Sequence, residues 1–340
     1  MTKPFSQTLR IYIKHGSYDR SGLTDILLSG TIRNESAWSD DTMIVNGKDI
    51  RVSGQLIRIG RLEAEVFEYA DDPVVLIDRL RESRPRVDIF TFLQKPPETS
   101  PKYDYPMEWD NLAVLPVSTF ENWWTKQIGF KARNKAKQAS KKGVMVREAY
   151  FDDAMVSGIW EIYNESPVRQ QRRFPHFGKS LDQVRRMSAT FMDSSIFIGA
   201  YYEDKLIGFI KLTCDDHRKQ AGIMHIISMI RHRDKAPTNA LIAQAVQSCA
   251  DRGISHLVYA NFAYGKKVNS SLSDFKERNG FARVDLPRYY VPLTGIGWSA
   301  FRLGLHRRFV DRIPGPLAAK YRDLRSSWYR HRFPTLAQDM

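Results

Sequence analysis

The sequence predicts an α/β (α+β) chain of two domains, each a mixed, mostly antiparallel sheet flanked by helices, followed by basic C-terminal helices. Three observations carry that expectation. Residues 196–202 and 206–213 are apolar runs split by Glu203-Asp204, the pattern of a hairpin. Leu241, Ile242, Ala245, Val246, Cys249 and Ala250 share one helical face, and Gly253 closes it. At 340 residues the chain exceeds one average domain and fits two.

The first half is weakly patterned. Residues 55–69 alternate Leu56, Ile57, Ile59, Leu62 and Val66 with polar residues and read as paired strands. Asp72-Pro73 reads as a cap and first position of a helix through Leu80, followed by a strand over 87–93. A loop rich in Pro, Tyr and Asp covers 96–110. Ser118-Thr119-Phe120-Glu121 fits a capping box that opens a helix holding Trp123 and Trp124. The segment after it carries Lys126, Lys131, Arg133, Lys135, Lys137, Lys141 and Lys142 with no acid among them. Ile128, Ala132, Ala136 and Ala139 give it a stripe suited to close packing, and Gly143 suits its C-terminal stop. The domain boundary is expected on this helix: residues 1–117 form one unit, 118–143 the link, 144–296 a second unit and 297–340 a tail.

The second half is clearer. A strand over 144–148 leads to a helix started by Asp152. A polar loop spans 164–179, and Ser180-Leu181-Asp182-Gln183 is a capping box for the next helix. The hairpin, a third strand over 222–230, the helix after Pro237 and a strand over 254–260 follow. A helix over 269–278 ends at Asn279-Gly280, and 283–293 is the last strand. In the tail, Trp298, Phe301, Leu305 and Phe309 share a helical face among cations, as do Leu317, Tyr321, Leu324 and Trp328 beyond Pro314-Gly315-Pro316.

The net charge of +14 implies an anionic partner: a phosphorylated cofactor, nucleic acid or an acidic membrane face. Apolar residues at 42% argue against global disorder. Cys214 and Cys249 are too few and too far apart for a disulfide framework or a zinc motif, so no metal is expected. No stretch approaches the about 20 apolar residues of a membrane span, and the N-terminus lacks a signal-peptide run. A cytoplasmic chain is expected, either free or peripheral on the inner membrane face through 298–333.

One loop carries the functional argument. Arg231-His232-Arg233-Asp234-Lys235-Ala236 opens directly onto a helix at Pro237-Thr238-Asn239. A helix start offers unpaired N–H groups and partial positive charge, a seat for phosphate. Arg231, Arg233, Lys235, Thr238 and Asn239 are therefore the expected donor-binding residues, with a solvated, capped loop as the plain alternative. Glu165, His176 and His225 are candidate proton acceptors, read against a solvated helix-end acid and satisfied core histidines. Arg169, Gln170, Arg172 and Arg173 give the polar loop forked donors suited to a sugar or phosphate acceptor.

The order of elements resembles the GNAT acyltransferase superfamily in its doubled, Fem-like form. Lys131 to Val144 is similar to the basic helix and strand entry that join the halves of that group. Asn269, Phe275-Lys276 and Gly280-Phe281 fit the helix after the fifth strand. Arg231-x-x-Asp234-x-Ala236 is similar to the phosphate loop R/Q-x-x-G-x-G/A, with Asp234 in place of Gly. Lys276 stands where many GNAT enzymes carry Tyr, and lysine there is usual in the Fem-like branch. The resemblance implies two GNAT-like domains, the first degenerate. It implies acyl or aminoacyl transfer from acyl-CoA (acetyl-CoA) or aminoacyl-tRNA to an amine, with Lys276 binding donor phosphate or stabilising charge. The acceptor would be a small molecule such as an amino sugar, or a lipid-linked cell-envelope precursor. The competing expectation is a GNAT-like module that binds tRNA or acidic lipid without catalysis.

Overall fold

A computed structural model of the chain describes residues 41–170, 172–263 and 270–307. Asn269, Arg308, Phe309 and the second tail helix around 317–328 lie outside them.

β1 (Asp41–Val45) and β2 (Lys48–Ser53) pair through a tight turn at Asn46-Gly47, both at positive φ. Of the strands expected over 55–69, only β3 (Ile59–Leu62) forms. After Leu62 the backbone leaves the sheet, and Val66, Phe67 and Tyr69 are buried elsewhere. α1 (Pro73–Arg81) starts as expected: Asp72 Oδ1 accepts the Val75 N–H at 3.3 Å, and Leu76, Ile77 and Leu80 face the core. β4 (Ile89–Leu93) is buried throughout. β5 (Met107–Pro116) begins inside the expected loop, where Glu108 and Asp110 obscure its apolar pattern.

The helix expected to run on from Ser118 is broken. Thr119, not Ser118, caps it, with Oγ1 accepting the Asn122 N–H at 3.1 Å. α2 (Phe120–Asn122) passes into a π-helical turn over Trp123–Gln127. Extended Ile128 and Gly129 intervene before α3 (Phe130–Lys141). The packing reason is local. Trp123 Nε1 donates to Asn279 O at 2.9 Å, and the Gly129 N–H donates to Arg278 O at 2.8 Å. A Cβ at Gly129 would crowd that same carbonyl at 3.2 Å. α3 buries Ala132, Ala136 and Ala139 and packs on the later helix α6, as the small-residue stripe predicts.

β6 (Met145–Ala149) precedes α4 (Asp153–Asn164), capped by Asp152. The polar loop holds a small hairpin, β7 (Val168–Arg169) and β8 (Arg172–Arg173). α5 (Leu181–Ser188) has both hydrogen bonds of its capping box. β9 (Ser195–Tyr202), β10 (Lys205–Cys214) and β11 (Gln220–Ser228) form a meander. A 3₁₀ segment over Ile230–Lys235 leads into α6 (Pro237–Asp251). β12 (His256–Val258), α7 (Ser271–Arg278), β13 (Ala282–Pro292) and α8 (Gly295–Arg302) complete the described chain.

Apart from the β7–β8 pair, the strands form one eleven-stranded sheet in the order β1-β2-β3-β4-β13-β5-β12-β11-β10-β9-β6. Only β3–β4 and β11–β12 pair in parallel; every other neighbour is antiparallel. The two halves are interleaved at the centre. β13, from the end of the chain, lies between β4 and β5, and β5, from the first half, borders β12. In the second half α4 and α5 cover one face and α6 the other.

Candidate active site

The parallel pair β11–β12 lasts for three residues only, Gln220–Gly222 against His256–Val258. Both chains then continue and diverge. β11 runs on beside β10 as far as Ser228, which opposes Gly208. The backbone after Val258 stays with β5 instead: the Tyr259 N–H donates to Ala113 O and the Ala113 N–H to Ala260 O, each at 2.8 Å. Among the described residues, the edge of β11 from Ile223 to Ser228 is left without a strand partner on the β12 side. A bulge occurs at the same place. Lys211 opposes His225 and Leu212 opposes Ile223, so Met224 has no opposite residue. The two backbones thus open apart beside half-buried Ile226, Ile227 and Ser228.

α6 begins at this opening. Ala236 adopts a left-handed conformation (φ 53°) at the N-cap and provides no side-chain cap. The first-turn N–H groups of α6 thus face the loop without a capping side chain. Thr238 Oγ1 meets Ser228 Oγ at 2.9 Å, tying the helix start to the end of β11. Asn239 Nδ2 reaches Asn279 Oδ1 at 3.4 Å, tying it to α7. Arg231 and Arg233 are exposed beside this start. Lys235 turns away and lies 4.5 Å over the Tyr202 ring. Asp234 also points away. Its carboxylate accepts from Lys142 Nζ at 3.0 Å, and its carbonyl accepts from Gln138 Nε2 at 2.8 Å. The Lys142 hydrogen bond holds its carboxyl below the usual range. The acid that replaces the pattern's Gly is thus drawn to the basic helix α3 and away from the helix start.

Glu165, the C-cap of α4, receives the Ile230 N–H at 2.6 Å, the Arg231 N–H at 3.1 Å and Arg169 at 3.0 Å. Arg169 also donates to Ser228 O and Ile162 O, each at 2.7 Å. These two residues form a clasp between the 164–179 loop, the end of β11 and the cationic loop. Gln170 sits exposed at the tip of the β7–β8 turn with φ 49°, and Arg173 is exposed. The backbone of Arg172 lies in β8.

His176 and His225 come together on the α4 face, their ring centroids 6.4 Å apart. His176 stacks on Tyr163 at 4.5 Å, and both histidines are almost completely buried. Burial, then Lys179 and Arg169, pushes the His176 imidazole down to about 3. Burial, then Lys211 and His176, pushes His225 well below its ordinary value. Both are neutral at physiological pH. Beside them is a residue that sequence reasoning missed. Lys211 is fully buried and donates to Ser188 O at 2.8 Å, Thr190 Oγ1 at 3.1 Å and Thr190 O. Burial brings its ammonium down to about 7. The signal was present: a single lysine inside an otherwise apolar run from Leu206 to Cys214.

Lys276 is buried in α7, donates to Asn261 O at 2.6 Å and lies 4.4 Å over the Tyr259 ring. Burial lowers it to about 7. Its acceptor belongs to a network that reaches the first half. Asn261 Nδ2 donates to Asp110 at 3.0 Å, Asp110 accepts from Arg288 at 2.8 Å, and Arg288 pairs with both oxygens of Glu65.

This architecture has relatives of known structure. Over 84% of this chain and 93% of the other, it is similar to FemX, with 8% identity and a TM-score of 0.54. Over 78% of this chain and 87% of the other, it is similar to L-PGS from Bacillus licheniformis, with 11% identity and a TM-score of 0.51. The chain shares its fold with these two proteins. No protein-family model and no curated protein matches the sequence. Within this fold, the opening between β11 and β12, the uncapped start of α6, the buried histidine pair and Lys276 are all contributed by the second half of the chain. Among the described residues, no group of three His, Cys, Asp or Glu is placed to hold a metal, and no helix is long and apolar enough to cross a membrane.

Proposed function

We propose that the chain is an N-acyltransferase that moves an acyl or aminoacyl group from a phosphate-bearing donor to an amine. The observation that carries this reading is the three-residue limit of the β11–β12 pair, with its bulge at Met224. Divergent strands free main-chain N–H groups that can polarise a donor carbonyl, and carbonyl groups that can align its chain. Donor phosphate would lie at the start of α6, aided by Arg231 and Arg233. The α4 face would take the acceptor, with His225 or His176 accepting a hydrogen bond from its neutral nitrogen and the proton released on attack leaving to water. Lys276 would stabilise negative charge as the carbonyl is attacked. Acyl-CoA and aminoacyl-tRNA both have the phosphate this site suits. An amino sugar or a lipid-linked envelope precursor fits the acceptor side.

The test is transfer from a panel of labelled acyl-CoAs and charged tRNAs to amino-sugar and lipid-linked amines. Arg231→Ala/Arg233→Ala is expected to raise the donor KM about tenfold, the loss of one or two charge-assisted contacts. Lys276→Met is expected to lower kcat. Turnover indifferent to all three substitutions would remove the site.

A second reading is favoured by the surface: a scaffold that binds polyanions without catalysis. α3 presents exposed Lys131, Lys135, Lys137 and Lys141. α8 and the turn after it expose Ile296, Trp298 and Leu303 beside Arg302. The first surface suits tRNA, and the second suits peripheral contact with acidic lipid. Steeply salt-dependent binding without transfer to any amine would favour this reading.

A further inference from the structure

Three nitrogens at the heart of the acceptor side have no partner among the described residues. They are Nδ1 and Nε2 of His176 and Nε2 of His225, all shut off from solvent. Buried polar atoms are nearly always hydrogen-bonded, so three orphans in one cluster point to something that meets them. The rings stand close to perpendicular, with centroids 6.4 Å apart. We propose that His176 and His225 together form a subsite for one small uncharged group that both donates and accepts a hydrogen bond: the neutral amine, or a hydroxyl, of the acceptor. This rests on the transferase reading and names what its acceptor side admits.

The chemistry of the surroundings selects that class. A neutral imidazole brings one donor and one acceptor, so the pair complements a group with both. An anion would find Lys211 and the terminal nitrogens of Arg169 already engaged. Lys211 directs its ammonium at Ser188 O, Thr190 O and Thr190 Oγ1, and Arg169 is engaged by Ser228 O, Ile162 O and Glu165. An ammonium would find no free carboxylate, because Glu165 already receives two backbone N–H groups and Arg169. Tyr163, Phe174 and Phe209 around the pair penalise any charge that enters. The site therefore takes its nitrogen already deprotonated, the state that attack on a carbonyl requires. Phenyl rings would stack as well as imidazoles against Tyr163 and Phe209 without leaving orphan atoms, so packing alone does not account for two histidines.

The test uses ¹⁵N-histidine NMR of the full chain with four small probes. Trifluoroethylamine and ethylene glycol are uncharged at neutral pH; methylammonium and acetate are charged. The expected result is that both histidine signals shift with the first two and with neither ion. His176→Phe and His225→Leu are expected to lose the response and to melt roughly 2–4 °C higher, because orphan polar atoms are removed. Equal response to the ions, no response to any probe, or lower melting in both variants would overturn the subsite. The readout needs no turnover. Probe binding without transfer to any amine defeats the transferase reading alone, and undiminished transfer in His176→Phe defeats the subsite alone.

Discussion

At the residue scale, the buried bases give a pH signature whose sign follows from their environment. His176 titrates near about 3 and His225 well below its ordinary value, while histidines of the unfolded chain titrate near about 6.5. Between those limits the unfolded chain binds protons that the native one refuses, so stability falls as pH drops below about 6.5. Lys211 and Lys276 act with the same sign at higher pH. They release protons near about 7 in the fold, and only near about 10.4 when unfolded, so stability rises across that window. Denaturant titrations at stepped pH should show both limbs. His176→Phe should flatten the acid limb and Lys211→Met the alkaline one; unchanged slopes would mean that these groups are not held neutral. Glu165→Ala should cost about 1.5–3 kcal/mol, since it leaves the Ile230 and Arg231 N–H groups and a largely buried Arg169 without their acceptor. Among the expected site residues, the histidines and Lys276 lie deep inside, whereas Arg231, Arg233, Gln170 and Arg173 reach solvent. The sequence marked their chemical types, but periodicity does not report depth or who else claims a side chain. Asp234 illustrates the second point: its tie to Lys142 spans 92 positions.

At the element scale, close approaches set the geometry around the site. A Cβ at Gly222 would sit 2.6 Å from the Phe67 ring, which lies over the last paired residue of β11. Gly222→Val should push the 63–70 segment off the sheet and cost about 1–3 kcal/mol by overpacking. A Cβ at Gly297 would lie 2.0 Å from Asp88 O. Gly297→Ala should therefore undock α8, seen as faster amide exchange over Gly295–Arg302, while α6 keeps its protection. Loss of protection throughout the chain would show that α8 is integral to the core. Helices with strong caps were legible: Asp72, Asp152 and Ser180 sit at the N-caps their sequences imply. The failures came where tertiary contacts override local pattern. Trp123 and Gly129 reach α7 and break a helix that propensity would continue. β5 was hidden because Asp110 and Glu108 serve long-range ion pairs with Arg288 and Arg307 instead of a solvated face.

At the scale of the whole molecule, the interleaving of β5 and β13 makes the halves interdependent. β13 bonds to β4 on one side and β5 on the other, and the Glu65–Arg288–Asp110–Asn261 network crosses the same seam. A single unfolding transition is expected by calorimetry; two separated transitions would show that the halves hold together independently. The mixed, mostly antiparallel sheet flanked by helices was readable from element order, but the strand exchange was not, since it depends on partners more than 160 positions apart. The central claim, a donor lodged where β11 and β12 diverge, is tested most directly by an amide-resolved NMR footprint with acyl-CoA and, separately, a 3′-aminoacylated RNA hairpin. The account predicts that one of them perturbs Ile226 to Ser228, the first turn of α6 and the backbone just after Val258. A footprint confined to the outer face of α3, or to the tail helix, would contradict it.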